Sequence, residues 1–409
     1  MRILTNEYAC NVPDFKEPAK GGPANFARLF FNFTTKDSKK HLWQGIIFRE
    51  LDEKSASYSL KKLKDLRANR EIFLFKMPQS FTTSVLKAKK VGDCRSMLSE
   101  PIAKLSNLIR RISPDIVFLN GFSLGNWMIM EAARSAQVPV AVQHAGLWGV
   151  ELDVYRDFYS PAGIKMMKDM ERDVSRFAAA EIFLNDFTKG YFDKNILKDK
   201  RQRKSSVKVI PLPVELSFFK PGQRKNDRFL FDPKMFHIGI IARWDRIKNH
   251  EALADLAQTA NEKGLPWSFH SVTKIPDTKK KITLKNKYRR NIDVIGHLTK
   301  EDIREFCSSN DLMIIPSKFD VSPTTLLEAL VCGTPTAISK NVGFVDDYKK
   351  HGAKDWIIDF DDPDKAIRQI KRIIRKKIPA KLIKDLQRKH DSKKVLKEYL
   401  SLFQEIIKK

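Results

Sequence analysis

The sequence that decides the fold runs from Pro316 to Ala337 and reads PSKFDVSPTTLLEALVCGTPTA. Two carboxylates, Asp320 and Glu328, stand eight positions apart in it. The apolar run just before this stretch predicts a buried strand, and the leucine-rich run inside it predicts a helix. A strand, a loop and a helix in that order are typical of one unit of an open α/β sheet.

The start of that helix has the composition of an anion-binding site. Ser322 is the expected N-cap and Pro323 the expected first helical residue. The backbone N–H groups of Thr324 and Thr325 would then point out of the helix start, where they can hold a phosphate. With Glu328 further along the helix, the arrangement suits a nucleotide sugar, which is anionic in the middle and rich in hydroxyl groups at both ends. The alternative is an ordinary strand–loop–helix unit with two surface carboxylates.

A second motif lies at residues 237–249 and reads HIGIIARWDRIKN. It predicts a buried strand, a tight turn and a helix from about Asn249. Arg243 and Lys248 both fall in the turn after the carboxyl end of the strand, where open α/β sheets bind ligands. Two cations there can hold a diphosphate and neutralise it as it leaves. The alternative is that both are solvated members of the 76 basic residues in the chain.

Together these motifs resemble those of retaining glycosyltransferases with the GT-B fold, in particular the family 4 (group 1) type. The first is similar to the E-x7-E signature, in the variant that reads acidic-x-x-Pro-x-Thr, with Asp320 where that family usually has Glu. The second is similar to the G-R-x-x-x-x-K element, with Ala242 where a glycine is common. The resemblance implies that Asp320 contacts the donor sugar, Glu328 holds the ribose hydroxyls, and Arg243 and Lys248 bind the donor diphosphate.

A pair of glycines near the amino terminus is a further candidate. A strand is predicted at Arg2–Thr5, followed by a loop that ends at Lys20–Asn25 and a helix whose first apolar residue is Phe26. Gly21 and Gly22 in this loop would let the backbone approach a ligand closely, although paired glycines also serve simple turns. In the resembled family a similar loop lies near the donor phosphates.

Two other strand ends supply candidate residues. His144 ends the predicted strand that begins at Val138, and the resemblance places a residue at that position against the donor sugar; a single histidine is otherwise usually structural. Gly296 and His297 follow the predicted strand that begins at Asn291. The resemblance implies that they meet the nucleotide base, His297 through its backbone.

The chain has 409 residues, enough for two domains with full cores. Strands alternate with helices throughout, which predicts an α/β protein with mostly parallel sheets. We expect a first, acceptor-side domain at residues 1–214 and a second, donor-binding domain at 215–390, both Rossmann-like and facing a central cleft. By resemblance, the helix predicted at 391–409 packs back on the first domain.

The formal net charge of +27 is the main feature of the composition. Basic residues cluster at several places, among them Lys61, Lys62 and Lys64. They indicate attraction to an anionic surface, such as the inner leaflet of a membrane, or else only a lysine-rich composition. Nucleic acid is the other polyanion to consider, but we find neither a nucleic-acid-binding motif nor a run of interleaved basic and aromatic residues.

Compartment and metal content follow from simpler observations. The four cysteines are widely spaced and form no metal or redox pattern, so we expect free thiols in a reducing cytoplasm. The amino terminus reads as a strand rather than a signal peptide, and no apolar run approaches the ~20 residues of a membrane span. Asp359 and Asp361 form a D-x-D string at an expected helix start, where acidic residues suit the helix dipole. We therefore expect no cofactor and no catalytic metal.

The sequence thus favours a retaining glycosyltransferase that moves a sugar from a nucleoside diphosphate sugar, such as a UDP- or GDP-sugar, to an acceptor hydroxyl. The acceptor would be a saccharide or a lipid-linked saccharide in cell-surface polysaccharide or glycolipid synthesis. Two alternatives remain open: a GT-B protein that binds a nucleotide sugar without transferring it, and a basic nucleic-acid-binding protein.

Overall fold

The structure is a computed structural model. It describes residues 1–12, 15, 21–36, 41–51, 57–63, 69–221, 229, 231–275, 282–296 and 298–408. Contacts between these residues divide the chain into two units. The first unit comprises Met1–Pro213 together with Ser392–Lys409, and the second comprises Val214–Asp391.

The first unit is built on an eight-stranded sheet. Its strands are β1 (Arg2–Asn6), β2 (Leu42–Glu50), β3 (Ser59–Leu63), β4 (Arg70–Met77), β5 (Ile116–Asn120), β6 (Val140–His144), β7 (Ala180–Phe183) and β8 (Ser206–Val209). Their order across the sheet is β3-β4-β2-β1-β5-β6-β7-β8. Among the described strands only β3 pairs antiparallel, with β4, and the other pairs are parallel. The expectation of a mostly parallel α/β sheet is therefore confirmed.

Helices cover both faces of this sheet. They are α1 (Gly21–Lys36), α2 (Phe81–Lys87), α3 (Val91–Ile112), α4 (Leu124–Ser135), α5 (Trp148–Val154), α6 (Pro161–Phe177) and α7 (Asp186–Phe192), with the C-terminal helix, Ser392–Ile407, also in this unit. The C-terminal helix packs on α1 through aromatic rings. The ring centroid of Tyr399 lies 5.1 Å from that of Phe26, and the ring centroid of Phe403 lies 5.8 Å from that of Phe30. Phe118 of β5 completes the cluster, which therefore joins the two ends of the chain to the sheet.

The second unit contains a five-stranded parallel sheet. Its strands are β9 (Phe236–Ile241), β10 (Trp267–Val272), β11 (Asp293–Ile295), β12 (Leu312–Ile315) and β13 (Thr336–Ile338), in the order β11-β10-β9-β12-β13. The strand order reverses between β9 and β12. Ligands of open α/β sheets bind at such a reversal, outside the carboxyl ends of the strands.

The helices of the second unit are α8 (His250–Glu262), α9 (Ile282–Asn291), α10 (Lys300–Ser309), α11 (Thr324–Val331), α12 (Val345–Lys350), α13 (Pro363–Ile373) and α14 (Ala380–Lys389); the C-terminal helix is α15. The core of this unit joins apolar residues of β9 and β12 to those of α8, α11 and α13, for example Ile238, Ile314 and Leu253. Among the described helices, none is both long and apolar enough to cross a bilayer.

The start of α1 differs from the expected loop. Gly21 and Gly22 are the first two residues of the helix rather than the end of a loop, and Lys20 lies outside the described residues. The physical reason is that the first N–H groups of a helix have no intrahelical partner. Pro23, which lacks an N–H, is therefore tolerated in the first turn, and the helix extends back past it.

The central strand of the second unit leaves no room for a side chain at Gly239. A Cβ built there would lie 2.6 Å from Sδ of Met313 and 2.7 Å from Cγ of Asn310. We predict that Gly239→Ala lowers the stability of this unit by about 1–3 kcal/mol, the usual cost of overpacking. Urea and thermal unfolding measure it. Gly296→Ala is the matched control, because no atom of the described residues lies within 4 Å of a Cβ there. Equal melting temperatures of the two variants would contradict the prediction.

Candidate functional site

Two loops of the second unit lie side by side because the strands before them, β9 and β12, are neighbours in the sheet. Backbone and side-chain hydrogen bonds join the loops. The N–H of Lys318 donates to the carbonyl of Ile247 at 2.8 Å, and Nδ2 of Asn249 donates to the carbonyl of Pro316 at 3.1 Å. Asn249 has φ +58°, a left-handed conformation in which asparagine is enriched, and it ends the turn just before α8.

The joined loops bring two predicted site residues into contact. Nζ of Lys248 lies 2.5 Å from Oδ2 of Asp320, although 72 positions separate them in the sequence. Their side chains are 21% and 12% exposed, so the pair is shielded but open to solvent on one side. Ser317 lies 3.5 Å from the same carboxylate oxygen. The result is a fixed cation beside a carboxylate at the point where the strand order reverses.

The backbone of Asp320 is fixed by its own strand-like contacts. Its N–H donates to the carbonyl of Asn341 at 3.1 Å, and its carbonyl accepts from the N–H of Gly343 at 2.8 Å. These bonds form an isolated parallel bridge between Asp320 and Val342. The carboxylate therefore starts from a rigid backbone although it lies in a loop.

Arg243 lies in the same loop as Lys248 but points elsewhere. Its side chain is 73% exposed, and its guanidinium lies 3.8 Å from the carboxylate of Asp245. The ring of His250 holds the backbone of this turn. Its Nε2 lies 2.7 Å from the carbonyl of Arg243, and its Nδ1 lies 3.0 Å from the hydroxyl of Tyr288. Burial lowers the pKa of His250. A neutral ring that donates from Nε2 satisfies the Arg243 carbonyl and so fixes the backbone of the turn.

The start of α11 requires a correction. The helix begins at Thr324 with Pro323 as its N-cap residue, whereas Ser322 was the expected N-cap and Pro323 the expected first helical residue. The backbone of Pro323 is extended, with ψ 109°, so the helix starts one residue later. Ser322 Oγ is buried and makes no hydrogen bond within the described part of the chain. The first free N–H groups of the helix still belong to Thr324 and Thr325, as expected.

Glu328 lies one helical turn beyond that start and is half-buried. Burial raises the pKa of its carboxyl from the usual 4.5 to about 7, and the charge of nearby Lys300 opposes this shift in part. Among the described residues, its carboxyl makes no hydrogen bond or ion pair. The carboxyl is therefore an unengaged acceptor that changes charge near neutral pH.

The remaining predicted residues of this unit fall outside the Lys248–Asp320 pair. Gly296 is exposed directly after β11, and His297 lies outside the described residues. Asp359 pairs with Lys365 at 2.8 Å, and this hydrogen bond lowers the pKa of Asp359. Asp362 caps α13 by accepting from the N–H of Lys365 at 2.9 Å. In the part of the chain that the structure describes, no three metal-ligating side chains are grouped.

His144 belongs to the first unit and is fully buried at the end of β6. Its ring stacks on Phe183 at 4.5 Å, and Nε2 lies 3.1 Å from the carboxylate of Glu181. Burial would raise the pKa of Glu181, but hydrogen bonds and charges from His144, Arg203 and Ser205 lower it to about 2. These contacts are those of a buried structural residue, and the catalytic role of His144 stays a prediction.

Sequence reasoning missed three residues that shape this site. One of them, Ser317, contacts the Asp320 carboxylate. The other two, Asn249 and Lys318, each donate a hydrogen bond to a backbone carbonyl of the other loop. The asparagine at the expected helix start was a usable signal, because asparagine is enriched in left-handed backbone. The contact of Lys318 with Ile247 left no signal, since it uses only backbone atoms.

The second unit matches a known family. Residues 223–390 match the family model described as "Glycosyl transferases group 1", so the resemblance stated above is confirmed for this part of the chain. A candidate glycosyltransferase named EpsF, from Bacillus subtilis strain 168, is 26% identical over 141 residues, which are 33% of this chain and 36% of that protein. An uncharacterized 41.2 kDa protein from a cps region of Klebsiella pneumoniae is 21% identical over 184 residues, 43% of this chain and 48% of its own. The matches thus span a third to a half of these curated relatives.

Solved structures resemble nearly the whole chain at low identity. Sucrose-phosphate synthase from Thermosynechococcus elongatus has a TM-score of 0.73 at 12% identity, covering 99% of this chain and 98% of its own. An α,α-trehalose-phosphate synthase (UDP-forming) from Burkholderia vietnamiensis has a TM-score of 0.71 at 11% identity, and the match covers 100% of this chain and 99% of that one. Anabaena HepE, solved with UDP and glucose, has a TM-score of 0.64 at 12% identity, and the match covers 98% of this chain and 99% of that one. These likenesses confirm the predicted GT-B fold.

The raised pKa of Glu328 makes stability depend on pH. Between pH 4.5 and about 7 the folded protein keeps a proton that the unfolded chain releases, so this contribution to stability is present below pH 4.5 and is lost as the pH rises through about 7. Glutamine mimics the neutral form. We predict that Glu328→Gln has the same melting temperature as the wild type near pH 5 and a higher melting temperature than the wild type near pH 8. Differential scanning calorimetry at both values checks it, and parallel curves for the two proteins would refute it.

Proposed function

Residues 223–390 form a group 1 glycosyl transferase domain, and from this premise we propose that the protein is a retaining glycosyltransferase that uses a nucleoside diphosphate sugar. The acceptor is the hydroxyl of a saccharide or a lipid-linked saccharide, in cell-surface polysaccharide or glycolipid synthesis. The single observation that carries the proposal is the contact between Lys248 and Asp320 at the reversal of the strand order. HepE, a structural neighbour solved with UDP and glucose, supports this type of donor.

The geometry suits the charge that develops during transfer. As the sugar leaves the diphosphate, negative charge grows on the departing oxygen, and the sugar ring gains oxocarbenium character. Lys248 is already fixed by Asp320 at 2.5 Å, so it needs little reorganisation to meet a phosphate. The free N–H groups of Thr324 and Thr325 add the positive end of α11. These groups stabilise the leaving diphosphate, with Arg243 able to turn toward it from solvent.

The two carboxylates have different tasks in this proposal. Asp320 starts from a backbone fixed by Asn341 and Gly343 and orients the sugar. Glu328 accepts hydrogen bonds from the ribose hydroxyls, which requires its ionised form. Because burial holds its pKa at about 7 in the free protein, donor binding is accompanied by release of a proton below that pH.

No metal or other cofactor has a part in this proposal, since Lys248 and the helix start supply the positive charge. Asp359, the first residue of the D-x-D string, is paired with Lys365. For His144 and the Gly21–Gly22 pair, the support is the sequence resemblance alone. We place the enzyme in the cytoplasm, at the inner face of a membrane, and the support for the latter is the net charge of +27.

A panel of nucleoside diphosphate sugars tests the donor assignment. We expect one of them to raise the melting temperature of the wild type, because a ligand at 100 times its dissociation constant stabilises a protein by about 2.7 kcal/mol. We expect Lys248→Met to lose this shift and to reduce the rate of donor turnover at least about tenfold, as removal of one transition-state donor does. Transfer should persist in EDTA.

Lys371→Met is the matched control, because it removes an exposed lysine of α13 in the same unit. Two results would overturn the donor assignment: a Lys248→Met variant with wild-type turnover, or a panel in which no nucleotide sugar shifts the melting temperature.

The two carboxylates should separate in steady-state kinetics. Glu328→Gln removes an interaction present in both the ground state and the transition state, so we expect a higher KM with little change in kcat. Asp320→Asn removes a negative charge near a ring that becomes positive, so we expect kcat to fall by at least about tenfold. Unchanged kcat and KM in both variants, measured with a verified donor, would remove the two-carboxylate assignment.

A further inference from the structure

A surface groove of about 560 Å³ lies in the first unit, beside α6. The residues that line it come from α5, from the turn at Arg156–Phe158, from Tyr159 directly after that turn and from α6. We refer to it as the α6 groove. It is separate from the Lys248–Asp320 site, which belongs to the second unit.

The α6 groove carries excess positive charge. Lys165 and Arg172 both pair with Asp169, the lysine at 2.8 Å. Lys168 and Arg156 both pair with Asp153, at 2.8 Å and 3.4 Å. Each aspartate is thus shared between two cations, so four positive charges face two negative ones. The aspartates hold the cations in place, and the uncompensated charge can attract an anion.

A second, smaller groove continues this surface. It shares Asp169 and Arg172 with the α6 groove and adds Arg95 of α3, Arg176 and Asp173. The two grooves together present six cations and three aspartates. Lys165 and Arg176 lie eleven residues apart on α6, which corresponds to about 16 Å along the helix. The excess charge therefore forms a strip rather than a point, wide enough for several phosphate groups.

Apolar side chains border the basic strip at one end. Tyr159, Pro161 and Ile164 line the α6 groove. Phe158 is the last residue of the turn beside them and is 43% exposed, one of the most exposed large apolar side chains among the described residues. An exposed phenylalanine next to a basic strip gains little from a soluble anion. It suits a partner that has phosphate groups above an apolar layer.

From this arrangement we propose that the α6 groove docks the protein on a membrane surface by binding the phosphate groups of anionic phospholipids, with Phe158 entering the interface. Membrane attachment follows from the charge complementarity of the strip and from the exposed ring. The basic residues singled out in the sequence do not form this surface: Lys61 and Lys62 lie on β3, where Lys62 pairs with Glu71, and Lys64 lies outside the described residues.

Vesicle flotation of the full chain tests the proposal and requires no glycosyl transfer. We expect recovery with vesicles of phosphatidylcholine that contain phosphatidylglycerol, and none with phosphatidylcholine alone. Raising the salt from about 0.1 M to about 1 M should weaken binding, because the Debye length falls from ~10 Å to ~3 Å. The variant that carries Lys165→Gln, Lys168→Gln and Arg172→Gln should partition at least about tenfold less. Phe158→Ser should weaken binding without a change in net charge.

Two matched controls separate the surface from the overall charge. The variant with Lys371→Gln, Arg372→Gln and Arg375→Gln removes the same number of exposed positive charges from the second unit and should bind as the wild type does. Ile407→Ser removes another exposed apolar side chain and should also have no effect. Should the groove variant fail to fold, Phe158→Ser against Ile407→Ser still decides the question.

Several outcomes would overturn the proposal. Equal losses in both triple variants would mean that only the net charge acts, and equal recovery on neutral vesicles would exclude the phosphate groups. Displacement of the protein from vesicles by dilute inorganic phosphate would indicate a site for a soluble anion. Binding to random DNA in place of vesicles would indicate a nucleic-acid surface. Because flotation measures no catalysis, a negative result leaves the proposed transfer reaction untouched, and an inactive enzyme leaves the docking surface untouched.

Discussion

The parallel neighbours β9 and β12 are the constraint on which the candidate site depends. Parallel strands place their carboxyl ends at the same edge of a sheet, so the loops that follow them start side by side. The hydrogen bonds from Lys318 to Ile247 and from Asn249 to Pro316 then fix one loop on the other. Lys248 and Asp320 can meet because both loops start at this edge. The fold thus supplies the geometry, and the ion pair makes use of it.

The electrostatics of the second unit follow from the same edge. A lysine beside one carboxylate, and a second carboxyl that burial keeps half protonated near pH 7, give a site with little net charge before a ligand arrives. The buried charges of the first unit are compensated in a different way. Glu181 is held ionised by His144, Arg203 and Ser205 and has no remaining capacity for a ligand. Of the two arrangements, only the one around Glu328 leaves a carboxyl unengaged among the described residues.

The sequence predicted the fold well because alternating strands and helices leave a clear periodic pattern. It also placed Lys248 and Asp320 in loops after buried strands, which the structure shows. It could not predict that the Arg243 side chain is 73% exposed, because the motif places this residue in the loop without fixing the direction of its side chain. The predicted starts of α1 and α11 were both wrong, because they depend on local backbone geometry that the residue types do not determine. The basic strip on α6 could not be predicted for another reason. Its excess charge arises because Asp153 and Asp169 are each shared between two cations, which only the three-dimensional structure shows.

The means by which the two loops are joined has a consequence for how such a site can diverge. The bond between Lys318 and Ile247 uses main-chain atoms only, and the Asp320 backbone is bridged to Val342 in the same manner. The identity of the side chains at these positions is therefore not what keeps the loops together. Substitutions at exposed positions such as Lys318 and Arg243 can alter the surface offered to a ligand while the scaffold keeps its shape. Apart from Asn249, whose side chain also joins the loops, the frame depends on main-chain atoms, so the residues that recognise a ligand can change through evolution at little structural risk.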